Sequence, residues 1–284
     1  MNALVSIALP SFNAEKTIED AIVSVLLQTW NNWELLLIDD GSKDRTVEIA
    51  RSFPDPRIRI VSDGRNKGLP ARLNEAIDMA CGKYFARMDN DDVSFPDRIR
   101  KQVEYLESHP ETDLVGTKVM TFVSPGKATG LLPFRQTHEE ICSHPWNGFY
   151  IPHPTWMGRI EWFRKYRYRI VDRAEDQDLL LRSYGESRFA CLPEVLFAYR
   201  LRDEVSLGIN RTARKNLLRS QLSHFSGRSQ WLSRALSVMA YAAKSSLDSW
   251  KALAGGGPKQ VHADLSEVLP KWEALKIELE RFRK

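Results

Sequence analysis

The chain has 284 residues, 43% apolar and 27% charged, with a net charge of +4; this fits a soluble globular protein, shows no disorder signature and gives no electrostatic case for nucleic acid. Cys81, Cys142 and Cys191 lie far apart without a C-x-x-C pair, which speaks against a disulfide framework or a zinc site and fits a reducing compartment. There is no signal-peptide pattern after Met1 and no stretch of roughly 18 uncharged apolar residues, so the expectation is a cytoplasmic protein that could still lie on a membrane surface.

Leu4 to Leu9 is a short apolar run, the pattern of a buried parallel strand. Ile18, Ala21, Ile22, Val25 and Leu26 then recur at helical spacing. Leu35 to Ile38 reads as a second strand, a short helix is expected around Val47 and Ala50, and Ile58 and Ile60 mark a third strand. Leu73, Ala76, Ile77 and Ala80 form another helical stripe, with Gly82 expected just past its end. Tyr84 to Met88 reads as a fourth strand. This alternation predicts an α/β fold with a doubly wound, mostly parallel sheet.

Leu114 to Val123 is a further strand, followed by an expected loop around Pro125 and Gly130. The region from there to about Leu207 is mixed in pattern. Beyond it the chain turns helical. Leu232, Leu236, Met239, Ala243, Leu247 and Trp250 share one helix face, Gly255-Gly256-Gly257-Pro258 breaks the chain, and Leu265, Leu269, Trp272, Leu275, Leu279 and Phe282 form a last amphipathic helix. The expected organisation is 1–123, 124–207 and a helical C-terminal extension over 208–284.

In open α/β sheets, ligands bind beyond the carboxyl ends of the strands, where strand order reverses. Acidic and polar groups collect there: Pro10-Ser11-Phe12-Asn13, Asp39-Asp40-Gly41-Ser42, Ser62-Asp63 and Asp89-Asn90-Asp91-Asp92. No G-x-G-x-x-G or P-loop pattern occurs. Asp39 to Ser42 taken alone is equally a turn and helix cap. Three carboxylates between Asp89 and Asp92 repel one another, which only a cation or solvent relieves cheaply. Ser94 and Arg100 occupy the positions where an EF-hand needs Gly and Glu, so a D-x-D turn offering oxygens to Mg²⁺ or Mn²⁺ fits better.

Val5 through Asn13, Gln28-Thr29, Glu34 through Thr46, Asn66-Lys67-Gly68-Leu69, Ala71-Arg72 with Asn74, and Met88 through Asp92 with Pro96 and Arg98 together resemble family 2 glycosyltransferases of the GT-A fold. His153-Pro154-Thr155, Glu175 through Leu179 and Tyr199-Arg200 extend the resemblance over roughly residues 4 to 206. The order and spacing of these motifs are far more specific than any one of them.

The resemblance implies an inverting, metal-dependent transferase that takes a sugar from a nucleotide-diphosphate donor to a saccharide or lipid-linked acceptor. Pro10 and Asn13 would border the nucleobase, Asp39 or Asp40 would contact base or ribose, and Arg72 would approach the base. Asp89 would hold the ribose. Asp91, helped by Asp92, would coordinate Mn²⁺ or Mg²⁺. Asp176 would be the general base, with Glu175 and His153 on the acceptor side. Taken alone, Asp176 reads rather as a helix N-cap or a surface charge, and His153 equally as a structural histidine. The setting implied is cell-surface polysaccharide or lipopolysaccharide assembly, without nucleic acid.

Two stretches depart from the family pattern. Arg164-Lys165-Tyr166-Arg167-Tyr168-Arg169 stands where small residues are usual, either a solvated run or a contact to a phosphate-bearing acceptor. Leu201-Arg202 stands where many relatives carry a histidine. Rival readings are a sugar nucleotidyltransferase, which needs a Gly-rich cradle that Pro10 to Asn13 does not supply, and a non-catalytic nucleotide-binding scaffold. The C-terminal helices are candidates for packing on the chain's own core, for peripheral membrane contact and for homo-oligomer formation.

Overall fold

A computed structural model describes residues 2–124, 126–201, 207–253 and 264–282. Pro125, Arg202 and the break at Gly255-Gly256-Gly257-Pro258 lie outside the described residues. The first part alternates as expected: β1 (Val5–Ser11), α1 (Ile18–Leu26), β2 (Trp33–Asp39), α2 (Thr46–Arg51), β3 (Ile58–Ser62), α3 (Leu69–Met79) and β4 (Tyr84–Arg87). β1 runs parallel between β2 and β4, with Val5 opposite both Trp33 and Tyr84, and β3 flanks β2.

The strands are continuous apolar runs because both faces are covered. Ile7, Leu9, Leu35 and Leu37 meet Ile18, Ala21, Ile22 and Val25 of α1 on one side. Ala8, Leu36, Ile38 and Phe85 meet Leu73, Ala76 and Ile77 of α3 on the other. One expectation is corrected here. α3 ends at Met79 with Ala80 already extended, and Gly82 is not in the left-handed region. Gly82 is required for space instead, since a Cβ there would lie 2.7 Å from the backbone of Leu4 and Ser6.

The chain continues through β5 (Val93–Ser94), α4 (Arg98–Ser108), β6 (Leu114–Val123), β7 (Lys127–Leu131), α5 (His138–Ile141), a 3₁₀ turn at His153–Thr155, β8 (Met157–Arg159), α6 (Ile160–Lys165), α7 (Glu175–Ser183) and β9 (Phe189–Arg200). One sheet runs β3-β2-β1-β4-β8-β6-β9-β5, with β7 paired to β6. Gly130, expected in a loop, lies within β7. β9 runs parallel to β6 but skips Pro193 and Glu194, since Thr117 faces Leu192 and Lys118 faces Val195. Pro193 has no amide hydrogen for the ladder, and the bulge accommodates it.

The basic run of 164–169 is paired along its length. Arg164 meets Glu161 at 2.8 Å, Lys165 meets Glu186 at 3.0 Å and Arg169 meets Asp178 at 3.4 Å. Arg167 is bidentate on Asp78 of α3, with one contact at 2.8 Å. The run therefore staples α3, α6 and α7 together.

Among the described residues, three α-helices follow: α8 (Leu207–His224), α9 (Trp231–Leu253) and α10 (Leu269–Phe282). The expected stripe of α10 turns inward: Trp272, Leu275 and Leu279 pack with Val23, Phe95, Met120 and Phe122. Trp272 also donates its indole N–H to the Gly126 carbonyl at 2.8 Å. α9 pairs with α8, where Arg214 grips Asp248.

Candidate active site

Strand order reverses between β1 and β4, so the loops leaving their carboxyl ends open onto one crevice. The loops are tied to each other. Asn90 donates to the Pro10 carbonyl at 3.2 Å, the Asn13 N–H donates to Ser42 Oγ at 2.9 Å, and the Lys43 N–H returns to Asn13 Oδ1 at 2.9 Å. Asn13 takes a left-handed φ of 48° to do so, a conformation asparagine tolerates better than most residues.

Asp39 and Asp40 are both buried and both occupied by loop-building bonds. Asp39 accepts from Ser42 N at 3.1 Å and from Ser62 Oγ at 2.7 Å. Gly41 follows at φ +79°, where a Cβ would also strike the backbone of Arg65 at 2.9 Å. Asp40 accepts from Lys67 N at 2.7 Å, Gly68 N at 3.1 Å and Arg72 Nε at 2.9 Å. Arg72 is fully buried, and its remaining donors go to Asp63 at 2.6 Å, Glu75 at 2.7 Å and the Arg65 carbonyl. Arg72 thus anchors the wall of the crevice.

The carboxylates of Asp89, Asp91 and Asp92 each place an oxygen within 4.8 Å of the others. Asp92 is fully buried; its Oδ1 accepts the Arg200 N–H at 2.8 Å, while its Oδ2 has no hydrogen-bond partner. Burial, then the charges of Asp89 and Asp91, push its carboxyl well above the usual carboxylate range. An orphaned buried oxygen among like charges is the donor set a hard divalent cation satisfies, so the residues fit Mg²⁺ or Mn²⁺. Arg200 fastens this turn from β9: its Nε donates to the Asp91 carbonyl at 2.7 Å and its Nη2 meets Asp20 of α1 at 3.1 Å.

Across the crevice, α7 begins with Glu175 and Asp176 after two residues with left-handed φ, Arg173 and Ala174. Asp176 is half-buried and its Oδ2 accepts from Gln177 at 3.2 Å. Burial raises its carboxyl above the ordinary value. Glu175, with an oxygen 3.8 Å from His153 Nδ1, is pushed up to about 7, by burial first and then by the charge of Asp176. Burial and the charge of Arg87 hold His153 well below its ordinary value, so its ring is neutral; Nε2 lies 2.8 Å from the Tyr168 hydroxyl.

Arg87 joins the two sides, and sequence reasoning passed over it. It is buried at the end of β4, ion-paired to Asp89, with its Nε and Nη1 unpartnered. Its charge acts on Asp89, Glu175, Asp92 and Asp176 alike. A lone arginine in the apolar run Tyr84 to Met88 was the signal available. The fold therefore brings the acidic turn after β4 and the start of α7 into one electrostatic environment, although 84 residues separate Asp92 from Asp176.

The comparisons with known proteins agree with this geometry. Residues 6–167 match the family described as glycosyl transferase family 2. The putative glycosyltransferase EpsE of Bacillus subtilis is 37% identical over 205 residues, covering 69% of this chain and 72% of that protein. An Escherichia coli protein, UDP-Glc:alpha-D-GlcNAc-diphosphoundecaprenol beta-1,3-glucosyltransferase WfgD, is 37% identical over 134 residues, 44% of this chain and 53% of that one. Among solved structures, Staphylococcus aureus TarS 1–349 in complex with UDP-GlcNAc superposes with a TM-score of 0.66 at 17% identity, over 98% of this chain and 82% of that one. Mannosyltransferase PcManGT of Pyrobaculum calidifontis, in complex with GDP-Man and Mn²⁺, superposes with a TM-score of 0.62 at 14% identity, over 100% and 86%. These two share the fold. With a family match across more than half its length and, in EpsE, a relative 37% identical over 72% of its own length, the chain belongs to glycosyl transferase family 2 and is a sugar-transferring enzyme on a GT-A fold.

Proposed function

We propose that the enzyme moves a sugar from a nucleotide-diphosphate donor to an acceptor hydroxyl with inversion, using Asp176 as general base and a divalent cation held by Asp91 and Asp92. The observation that carries this reading is the unpartnered Asp92 Oδ2 within a three-carboxylate turn, facing a second acidic pair across Arg87. A bound Mn²⁺ or Mg²⁺ would offset the charge gathering on the departing nucleoside diphosphate.

The chain's own residues would supply the rest. Pro10 and Asn13 would border the nucleobase, and Asp89 would hold the ribose. Asp39 and Asp40 would shape the wall beside the base, with Arg72 acting through Asp40, since each of its three guanidinium nitrogens is already engaged. Asp176 would take the acceptor proton as the oxygen attacks, and a single base with in-line displacement inverts the anomeric carbon without a covalent intermediate. Glu175 and the neutral His153 would line the acceptor side.

The acceptor we favour is a lipid-linked diphosphate saccharide, the kind that WfgD's name gives for that relative. The chain would then work on the cytoplasmic face of a membrane, and no helix among the described residues is long and apolar enough to cross one. The test is a donor screen: each nucleotide sugar with Mn²⁺, reading nucleoside-diphosphate release. One donor should dominate, EDTA should abolish release, and Mn²⁺ or Mg²⁺ should restore it. Full release in chelator would refute the metal assignment.

A further inference from the structure

Helix α9 is built inside out. Its apolar stripe, Leu232, Leu236, Met239, Ala243, Leu247 and Trp250, occupies one arc of the helix surface. That arc faces away from the protein: Leu232 is 54% exposed, Met239 56%, Leu247 47% and Trp250 65%. Trp231, 67% exposed, opens the helix about 100° around from Trp250. The face turned inward is polar. Ser237 and Asp248 are buried, and the half-buried Lys244 donates to the Asn147 carbonyl at 2.7 Å. α10 shows the ordinary arrangement, with its apolar residues in the core. A contiguous patch of this kind marks an interaction surface.

Charge selects the occupant. Residues 207–253 hold eight Arg and Lys against Asp248 alone, a net of +7 by that difference, while the whole chain carries +4. Two copies packed through this surface would bring like charges together. At the Trp250 end of the stripe, the exposed Arg211 and Lys215 join Ser245 and Ser249 around a groove of about 660 Å³ between α8 and α9. Lys215 has no ion-pair partner among the described residues. Cations and hydroxyls beside an apolar stripe match a phosphate headgroup with its acyl chains alongside.

We propose that α9 docks on an anionic phospholipid bilayer, its apolar stripe entering the headgroup–acyl boundary and the Arg211–Lys215 groove receiving a lipid phosphate. From Leu232 to Trp250 the stripe runs about 27 Å at 1.5 Å per residue, so the helix lies along the surface with Trp250 at one end of the buried face. The docking holds whichever sugar is transferred, and vesicle binding is read separately from catalysis.

The test is sedimentation of the full chain with vesicles of phosphatidylcholine, pure or mixed with phosphatidylglycerol. The chain should pellet with the mixed vesicles and stay in solution with the pure ones. Met239→Ser with Leu247→Ser and Trp250→Ser should abolish pelleting, and Arg211→Glu with Lys215→Glu should do the same. All these side chains are exposed or half-exposed, and unchanged circular dichroism and nucleoside-diphosphate release would confirm intact folding. Equal pelleting by wild type and the triple variant would overturn the proposal. A wild-type dimer that the triple variant converts to monomer, with no vesicle binding, would overturn it in favour of a second copy.

Discussion

Asp92→Asn should make the metal-free protein more stable while impairing its function. At an effective dielectric of about 20, two unit charges 4.8 Å apart repel by about 3.5 kcal/mol. Asp92 faces two such neighbours and is fully buried, so its ionised form also carries a desolvation cost. Partial exposure of Asp89 and Asp91 and proton uptake by Asp92 reduce the sum, leaving an expected gain of about 1–3 kcal/mol at neutral pH. The amide retains an oxygen for the Arg200 N–H and offers its NH₂ to the neighbouring carboxylates. The sign with pH follows from the raised carboxyl. Folding favours protonated Asp92, so the wild type loses stability as pH rises from the unfolded value near 3.8, and the variant escapes that loss. Urea unfolding in EDTA at pH 4 to 8 reads this as a gap that widens with pH. With Mn²⁺ present, metal-dependent binding of the nucleoside diphosphate should fall sharply. A variant less stable than wild type in chelator at every pH would refute the picture of an unrelieved acidic turn.

Two further outcomes follow from the same geometry. Trp272→Ala removes a buried ring that touches Phe122 and Phe95 and bonds Gly126, so it should cost about 3–5 kcal/mol in urea unfolding; a loss below about 1 kcal/mol would mean α10 does not pack on the core. Glu175→Gln should flatten part of the pH dependence in EDTA: the wild-type carboxyl, raised from 4.5 to about 7, loses at most about 3 kcal/mol as pH climbs through that window, and the amide loses none; parallel stability curves would place Glu175 in water.

The sheet's parallel half was legible because each strand is an apolar run and each helix a clean stripe, as in Leu35 to Ile38, whose Leu36 and Ile38 pack against Leu73, Ala76 and Ile77. β8 was not, since three residues carry no period, and β9 hides behind the bulge at Pro193. α4 was missed although Ile99, Val103 and Leu106 mark its buried side; Arg98 and Gln102, polar yet fully buried, interrupt the stripe. The acidic turn and the Glu175-Asp176 pair could be picked out as motifs. Their common link, Arg87, could not, because the meaning of a buried arginine depends on which distant carboxylates surround it. For α9 the period was plain and its direction was not. A stripe gives the apolar face, and only the packed structure reveals that this one points to solvent.

The central claim is that Asp176 takes the acceptor's proton, and Asp176→Asn tests it most directly. The amide keeps the shape and the Gln177 contact but accepts no proton at this step. Loss of a general base costs about 10²–10⁴-fold in rate, whereas a group acting mainly in the transition state should change donor affinity by less than about 1 kcal/mol. The account predicts that sugar transfer collapses while titration calorimetry with the nucleoside diphosphate and Mn²⁺ remains at the wild-type affinity. Transfer at the wild-type rate would contradict it and move the base elsewhere, with Glu175 and Asp178 the next carboxylates to test.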